Sequence, residues 1–148
     1  MLKPYVCVAC EKVIVAAPDN VASLIGLFNK IIIAVAPGTE IPKNAVTPKE
    51  WAIFTIFDTE PGDELKEYVH FVQILYPDKT QFAEVSKNKI AVELNKRAQI
   101  SVQVLGFPIG QRGKYTVRVW VEENQQMVVG PIEFTMELEI GKPPEKTP

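Results

Sequence analysis

The sequence predicts an all-β protein: an antiparallel two-sheet β-sandwich with at most short helical turns. Three observations carry the prediction. Residues 113–121 alternate, with Tyr115, Val117, Val119 and Val121 on one side and Thr116, Arg118, Trp120 and then Glu122 on the other. That is the period-two pattern of a strand with one buried face. Residues 132–140 repeat it, Ile132, Phe134, Met136, Leu138 and Ile140 alternating with Glu133, Thr135, Glu137 and Glu139. The rest of the chain is short apolar runs separated by turn signals, without one long helical pattern, which is how sandwiches read.

In chain order, residues 5–16 form a first strand, with Tyr5, Cys7 and Ala9 on one face and Val6 and Val8 on the other. Pro18-Asp19-Asn20 is a turn. Residues 22–35 divide the evidence. Val21, Leu24, Ile25, Phe28 and Ile32 recur at helical spacing, but Gly26 and the β-branched run Ile31-Ile32-Ile33 oppose a helix, and one or two strands are expected. Three successive isoleucines imply burial on both faces or a face covered by a partner, so self-association into a homo-oligomer is expected. Pro37-Gly38 breaks the pattern, and residues 41–46 form a loop held by Pro42. Thr47-Pro48-Lys49-Glu50 has the form of a capping box with proline at the first helical position, a single helical turn before a strand at 51–57.

Glu60-Pro61-Gly62-Asp63 is a turn, and residues 68–76 a strand whose facing stays open because both registers are apolar. Pro77-Asp78-Lys79 leads into a short segment at 81–85, and residues 90–94 read as a short alternating strand. Ile100, Val102 and Val104 share a face, after which Leu105, Phe107 and Ile109 take over. A β-bulge near Gly106 would produce that change of phase. Residues 108–113 are a loop, and 122–126 close a hairpin. Residues 1–141 make one domain, and 142–148, with three prolines in seven residues, a disordered tail.

A chain of 148 residues, 47% hydrophobic and 23% charged with net charge −2, has the composition of a globular domain with its own core. It lacks the basic footprint of a nucleic-acid binder. The apolar run after Lys3 is broken by Glu11 and Lys12, and the later run at 21–35 is short and carries Asn29 and Lys30. Neither reads as an export signal or a membrane segment, and a cytoplasmic location is expected. Cys7 and Cys10 are the only cysteines, a lone C-x-x-C. Three apart on a strand, their sulfurs face opposite sides, and no second pair completes a zinc site. Two free thiols suit a reducing compartment. No metal or cofactor is expected.

Gly26-x-Phe28-x-x-Ile31, the Pro77-Asp78 turn after a strand, and Leu105-x-Phe107 leading to Gly113-x-Tyr115 are spread over most of the chain. In these it resembles a family of short, uncharacterised bacterial proteins, a domain of unknown function. The resemblance implies an immunoglobulin-like sandwich and no assigned activity, so it carries no functional residue. The three strand glutamates and the C-x-x-C fall outside its pattern.

No catalytic residue is assigned. Glu133, Glu137 and Glu139 lie along one strand face rather than across a substrate from one another, which suits a solvated edge better than acid–base work or calcium. His70, the only histidine, has no local nucleophile and reads as a half-buried strand residue between Tyr68 and Val72. The three glycines of 106–113 lack a phosphate-loop ending. Arg118 and Trp120, beside Thr116 on the outer face of an inner strand, are residue types that anchor interfaces. The expected function is therefore a non-catalytic binding or structural module contacting a protein partner. The alternative is a small-ligand or carbohydrate-binding sandwich using Trp120.

Overall fold

The computed structural model describes residues 1–16, 21–27 and 29–141. The turn expected at Pro18-Asp19-Asn20, Phe28, and the tail expected at 142–148 lie outside the described residues. The strands are β1 (Lys3–Ala16), β2 (Val21–Leu27), β3 (Lys30–Ala34), β4 (Val46–Asp58), β5 (Tyr68–Leu75), β6 (Gln81–Ile90), β7 (Ala98–Pro108), β8 (Gly113–Glu123) and β9 (Gln126–Gly141). A single 3₁₀ turn, Asp63–Leu65, is the only helical piece among the described residues.

Two sheets pack face to face, in the orders β2-β1-β4-β7 and β3-β9-β8-β5-β6. Within them β1-β4-β7 and β9-β8-β5-β6 follow the A-B-E and G-F-C-C′ connectivity of an immunoglobulin-like sandwich. Every pairing is antiparallel except β3 with β9, which is parallel. The exception arises because the chain leaves the first sheet after Leu27 and rejoins the second at Lys30, running beside the last strand in the same direction. Residues 22–35 are thus two strands, one in each sheet.

β8 lies inside its sheet, and Tyr115, Val117, Val119 and Val121 are all fully buried, as their alternation requires. The first three meet Trp51 and Ile53 of β4, Val72 and Ile74 of β5, Phe107 of β7, and Met136 and Leu138 of β9, while Val121 packs in a second cluster with Phe57, Tyr68 and Val129. The facing of β5 follows: Tyr68, His70, Val72 and Ile74 point inward. At the start of β8, the Tyr115 hydroxyl donates to the Gln111 carbonyl at 2.5 Å. This tyrosine corner ties the strand to the loop before it. The type I′-like turn at Asn124 and Gln125 (φ 50 and 62) closes the hairpin into β9.

The first hairpin forms a partial third layer. Beyond Cys10, β1 pairs with β2 alone, and Val13, Ala22 and Leu24 pack on Cys10, Ala52 and Phe54, on the outer side of the four-stranded sheet. Both faces of β4 are buried in consequence, which explains its unbroken apolar run from Trp51 to Phe54.

Six local expectations need correction. Thr47-Pro48-Lys49-Glu50 is not a helical turn but the start of β4. Thr47 pairs with Phe107 and Glu50 with Leu105, so Pro48 and Lys49 bulge opposite Gly106 (φ +84). The Thr47 hydroxyl accepts from the Lys49 and Phe107 amides there, at 3.4 and 3.3 Å, in place of a helix cap. The phase change in β7 falls after Leu105, which is 74% exposed, rather than before it. Residues 90–94 are not a strand: Ile90 ends β6 opposite Tyr68, the first residue of β5, so nothing remains to pair with beyond it. The segment expected at 81–85 is instead the start of the longer β6. Tyr5 leaves the Cys7–Ala9 face at a register shift between Pro4 and Val6, and stands 54% exposed under the Arg97 guanidinium, 3.9 Å from the ring centroid. The isoleucine run is not buried on both faces, since Ile31 and Ile33 face the core and Ile32 is 67% exposed.

Candidate functional site

The outer face of the five-stranded sheet gathers Thr116, Arg118 and Trp120 on β8, because inward valines force the intervening residues outward. Register then decides their neighbours. Trp120 stands opposite Phe71 of β5, and the two half-buried rings stack with centroids 5.2 Å apart and planes 2° from parallel. Phe71 in turn stands opposite Lys87 of β6, whose Nζ lies 5.9 Å from the ring centroid. A cation and two aromatic rings therefore run in a row across three strands. The Trp120 Nε1–H donates to Glu122 Oε2 at 3.2 Å.

One row further along, Arg118 pairs with Glu133 of β9, Nε and Nη2 both reaching Oε1 at 2.9 and 2.7 Å. Glu139 pairs with Lys30 of β3 at 2.8 Å, and that hydrogen bond raises the Lys30 ammonium above its ordinary range. Two of the three strand glutamates are thus spent on cross-strand ion pairs, and no group of three His, Cys, Asp or Glu suited to a metal occurs among the described residues. Thr116 departs from expectation. It is only 7% exposed, because Lys79 lies over it and donates from Nζ to its hydroxyl at 3.3 Å. The structure brings Arg118 and Trp120 to one surface and withdraws Thr116 from it.

A second constellation lies inside the sandwich. Thr55 of β4 sits between Cys7 of β1 and His70 of β5, its hydroxyl lying 3.7 Å from Cys7 Sγ and 3.2 Å from His70 Nε2. The Thr55 hydroxyl bridges the two groups, and the imidazole tautomer sets whether it donates to or accepts from Nε2. Nδ1 has no partner. His70 is fully buried rather than half-buried, and burial depresses its pKa to about 4. Burial likewise pushes the Cys7 thiol up, against a smaller opposing pull from Thr55. At neutral pH this is a neutral imidazole beside a protonated thiol, the reverse of the thiolate–imidazolium pair that a nucleophile needs. Cys10 lies on the other side of the sheet among Ala52 and Phe54, and both cysteines are free.

Where the chain changes sheet, a recess of about 670 Å³ opens between β1 and β9, lined by Cys7, Ala9, Leu27, Asn29, Phe134 and Thr135. Among the described residues that line it, the one titratable group is the raised Cys7 thiol. The sequence reading missed Phe71 and Lys87 on the outer face and Thr55 in the interior. The signal for Phe71 was its alternation with His70, which could not be used while the facing of β5 was open. Compared with known proteins, the chain matches no family model and no curated protein.

Proposed function

We propose that the protein is a non-catalytic binding module whose outer five-stranded face docks a protein partner through Phe71, Trp120 and Arg118. The observation that carries this reading is the Phe71–Trp120 stack, two large rings held half-exposed and mutually parallel on a rigid sheet. Rings already fixed by one another lose little freedom when a partner covers them, and tryptophan and arginine dominate the energetics of such contacts. The Arg118–Glu133 pair fixes the guanidinium beside the rings. Phe71 occupies one face of the indole, which favours a partner surface over a sugar stacked on that face. In this reading the module works in a bacterial cytoplasm, the setting suggested by the family resemblance and by two cysteines left unpaired.

A photo-crosslinking residue placed at Arg118, or as a control at Ser101 on the outside of the other sheet, tests the reading in a lysate of the host cell. A discrete protein adduct is expected from position 118 alone, lost when Trp120→Ala is added. No adduct, equal adducts from both positions, or an adduct indifferent to Trp120 would refute it. Glycan binding abolished by Trp120→Ala would replace it with the small-ligand alternative.

A further inference from the structure

We propose that the free edge of β2 pairs antiparallel with β2 of a second copy of this chain, about a two-fold axis at Ser23. A sheet edge presents unpaired amide and carbonyl groups, and proteins guard such edges with charge, bulges, proline or brevity. The four edges here differ in that protection. β6 carries Lys87 and Lys89, and its register with β5 breaks where Ala83 takes φ 58. β3 is five residues long and begins with Lys30, ion-paired to Glu139. β7 bends at Gly106, opposite the bulge in β4. β2 is the least guarded: its seven residues, VASLIGL, hold no charge and no proline, and from Val21 to Ile25, ahead of Gly26 (φ +69), it pairs with β1 without a break.

The side chains of β2 identify its occupant. Val21 and Ile25 are 60% and 48% exposed, and Ser23 between them is exposed as well. Antiparallel pairing about Ser23 sets Val21 against Ile25 of the second copy, Ala22 against Leu24, and Ser23 against Ser23. Apolar groups then meet apolar groups, and hydroxyl meets hydroxyl. The segment is complementary to itself, which an arbitrary partner strand would not be. Within β2 the pairing residues, Val21 to Ile25, span about 17 Å, so the pairing buries less than the roughly 1,200 Å² of a standard interface. Association should be reversible and visible only at high protein concentration.

Sedimentation velocity over a wide concentration range tests this, with circular dichroism confirming that each variant folds. The wild-type chain is expected to move from monomer to dimer as concentration rises. Ser23→Lys, at an exposed position that sets two ammonium groups face to face, should weaken dimerisation by about ten-fold or more. Cysteine scanning reads the register: Ser23→Cys should form an interchain disulfide under mild oxidation, and Val21→Cys alone should not. A mixture of Val21→Cys and Ile25→Cys chains should cross-link. A wild-type chain monomeric throughout, a dimer indifferent to Ser23→Lys, oligomers growing past the dimer, or Val21→Cys linking to itself as fast as Ser23→Cys would each overturn the proposal.

Discussion

Acid should unfold this protein through His70 before it acts through any carboxylate. The imidazole is fully buried, and its pKa falls from 6.5 to about 4 because burial disfavours the charged form. In the unfolded chain it titrates near its ordinary value. Above about pH 6.5 both states hold it neutral, and it has no effect on the pH dependence. As pH falls below that value the unfolded state takes up a proton that the folded state refuses. Stability is lost at about 1.4 kcal/mol per pH unit, and the loss levels off once the folded state protonates near pH 4. The full swing is roughly 3 kcal/mol, a large share of the stability of a domain of this size. Buried Asp63 belongs to a lower window. Burial pushes its pKa up, but the Glu60 amide, the Tyr68 hydroxyl and the Met1 ammonium outweigh that and hold the carboxyl below its ordinary value. Its contribution is therefore present above the ordinary carboxylate range and lost only as pH falls below it. Urea unfolding followed by tryptophan fluorescence, at intervals from about pH 8 to about pH 4, should show the wild-type chain losing stability faster than His70→Gln across the histidine window. Parallel pH profiles for the two chains would refute the argument.

Three further outcomes follow from the packing. Tyr115→Phe should cost about 1 kcal/mol for the lost hydrogen bond to Gln111 and Tyr115→Ala about 3 kcal/mol or more, whereas Thr116→Ala should cost less than about 1 kcal/mol, all read from urea midpoints. Gly110→Ala should destabilise by roughly 2 kcal/mol or more in the same assay, because the added Cβ would stand 2.0 Å from the Lys43 carbonyl oxygen and push apart two loops joined by the Ile109–Ala45 hydrogen bond. Cys7 and Cys10 should form no intrachain disulfide under mild oxidation and should label only slowly with thiol reagents until the chain unfolds, since they face opposite sides of the sheet and burial raises both thiols; mass spectrometry reads both.

The elements legible in the sequence are those with one wet face. β8 and β9 alternate cleanly because each has a core on one side and solvent on the other, and their facing was fixed by residue type alone. Where both faces are covered the period disappears. β4 buries Ala52 and Phe54 as fully as Trp51 and Ile53, because the first hairpin folds over its outer side. β5 hid its facing for a related reason, since its outer residues include Phe71, which is apolar to suit Trp120 and not the core. Thr47-Pro48-Lys49-Glu50 misled in another way. The same hydroxyl that can cap a helix can accept amide protons across a β-bulge, and pairing with β7 selects the second use.

The candidate sites were harder to read than the fold because each depends on register between distant segments. Trp120 and Arg118 could be placed on an outer face, but nothing local says that Phe71 lies beside one and Glu133 beside the other. Cys7, Thr55 and His70 meet only because three strands from two sheets converge. The same topology separates the two proposed surfaces. Trp120 belongs to the five-stranded sheet, and β2 pairs only with β1 at the edge of the other. With no shared partner, substitutions on them should act independently. Ser23→Lys should leave the adduct at position 118 intact, and Trp120→Ala should leave the dimer intact. Loss of both activities from either substitution would mean that the second copy itself sits on the Phe71–Trp120 face, and that one interface rather than two explains both surfaces.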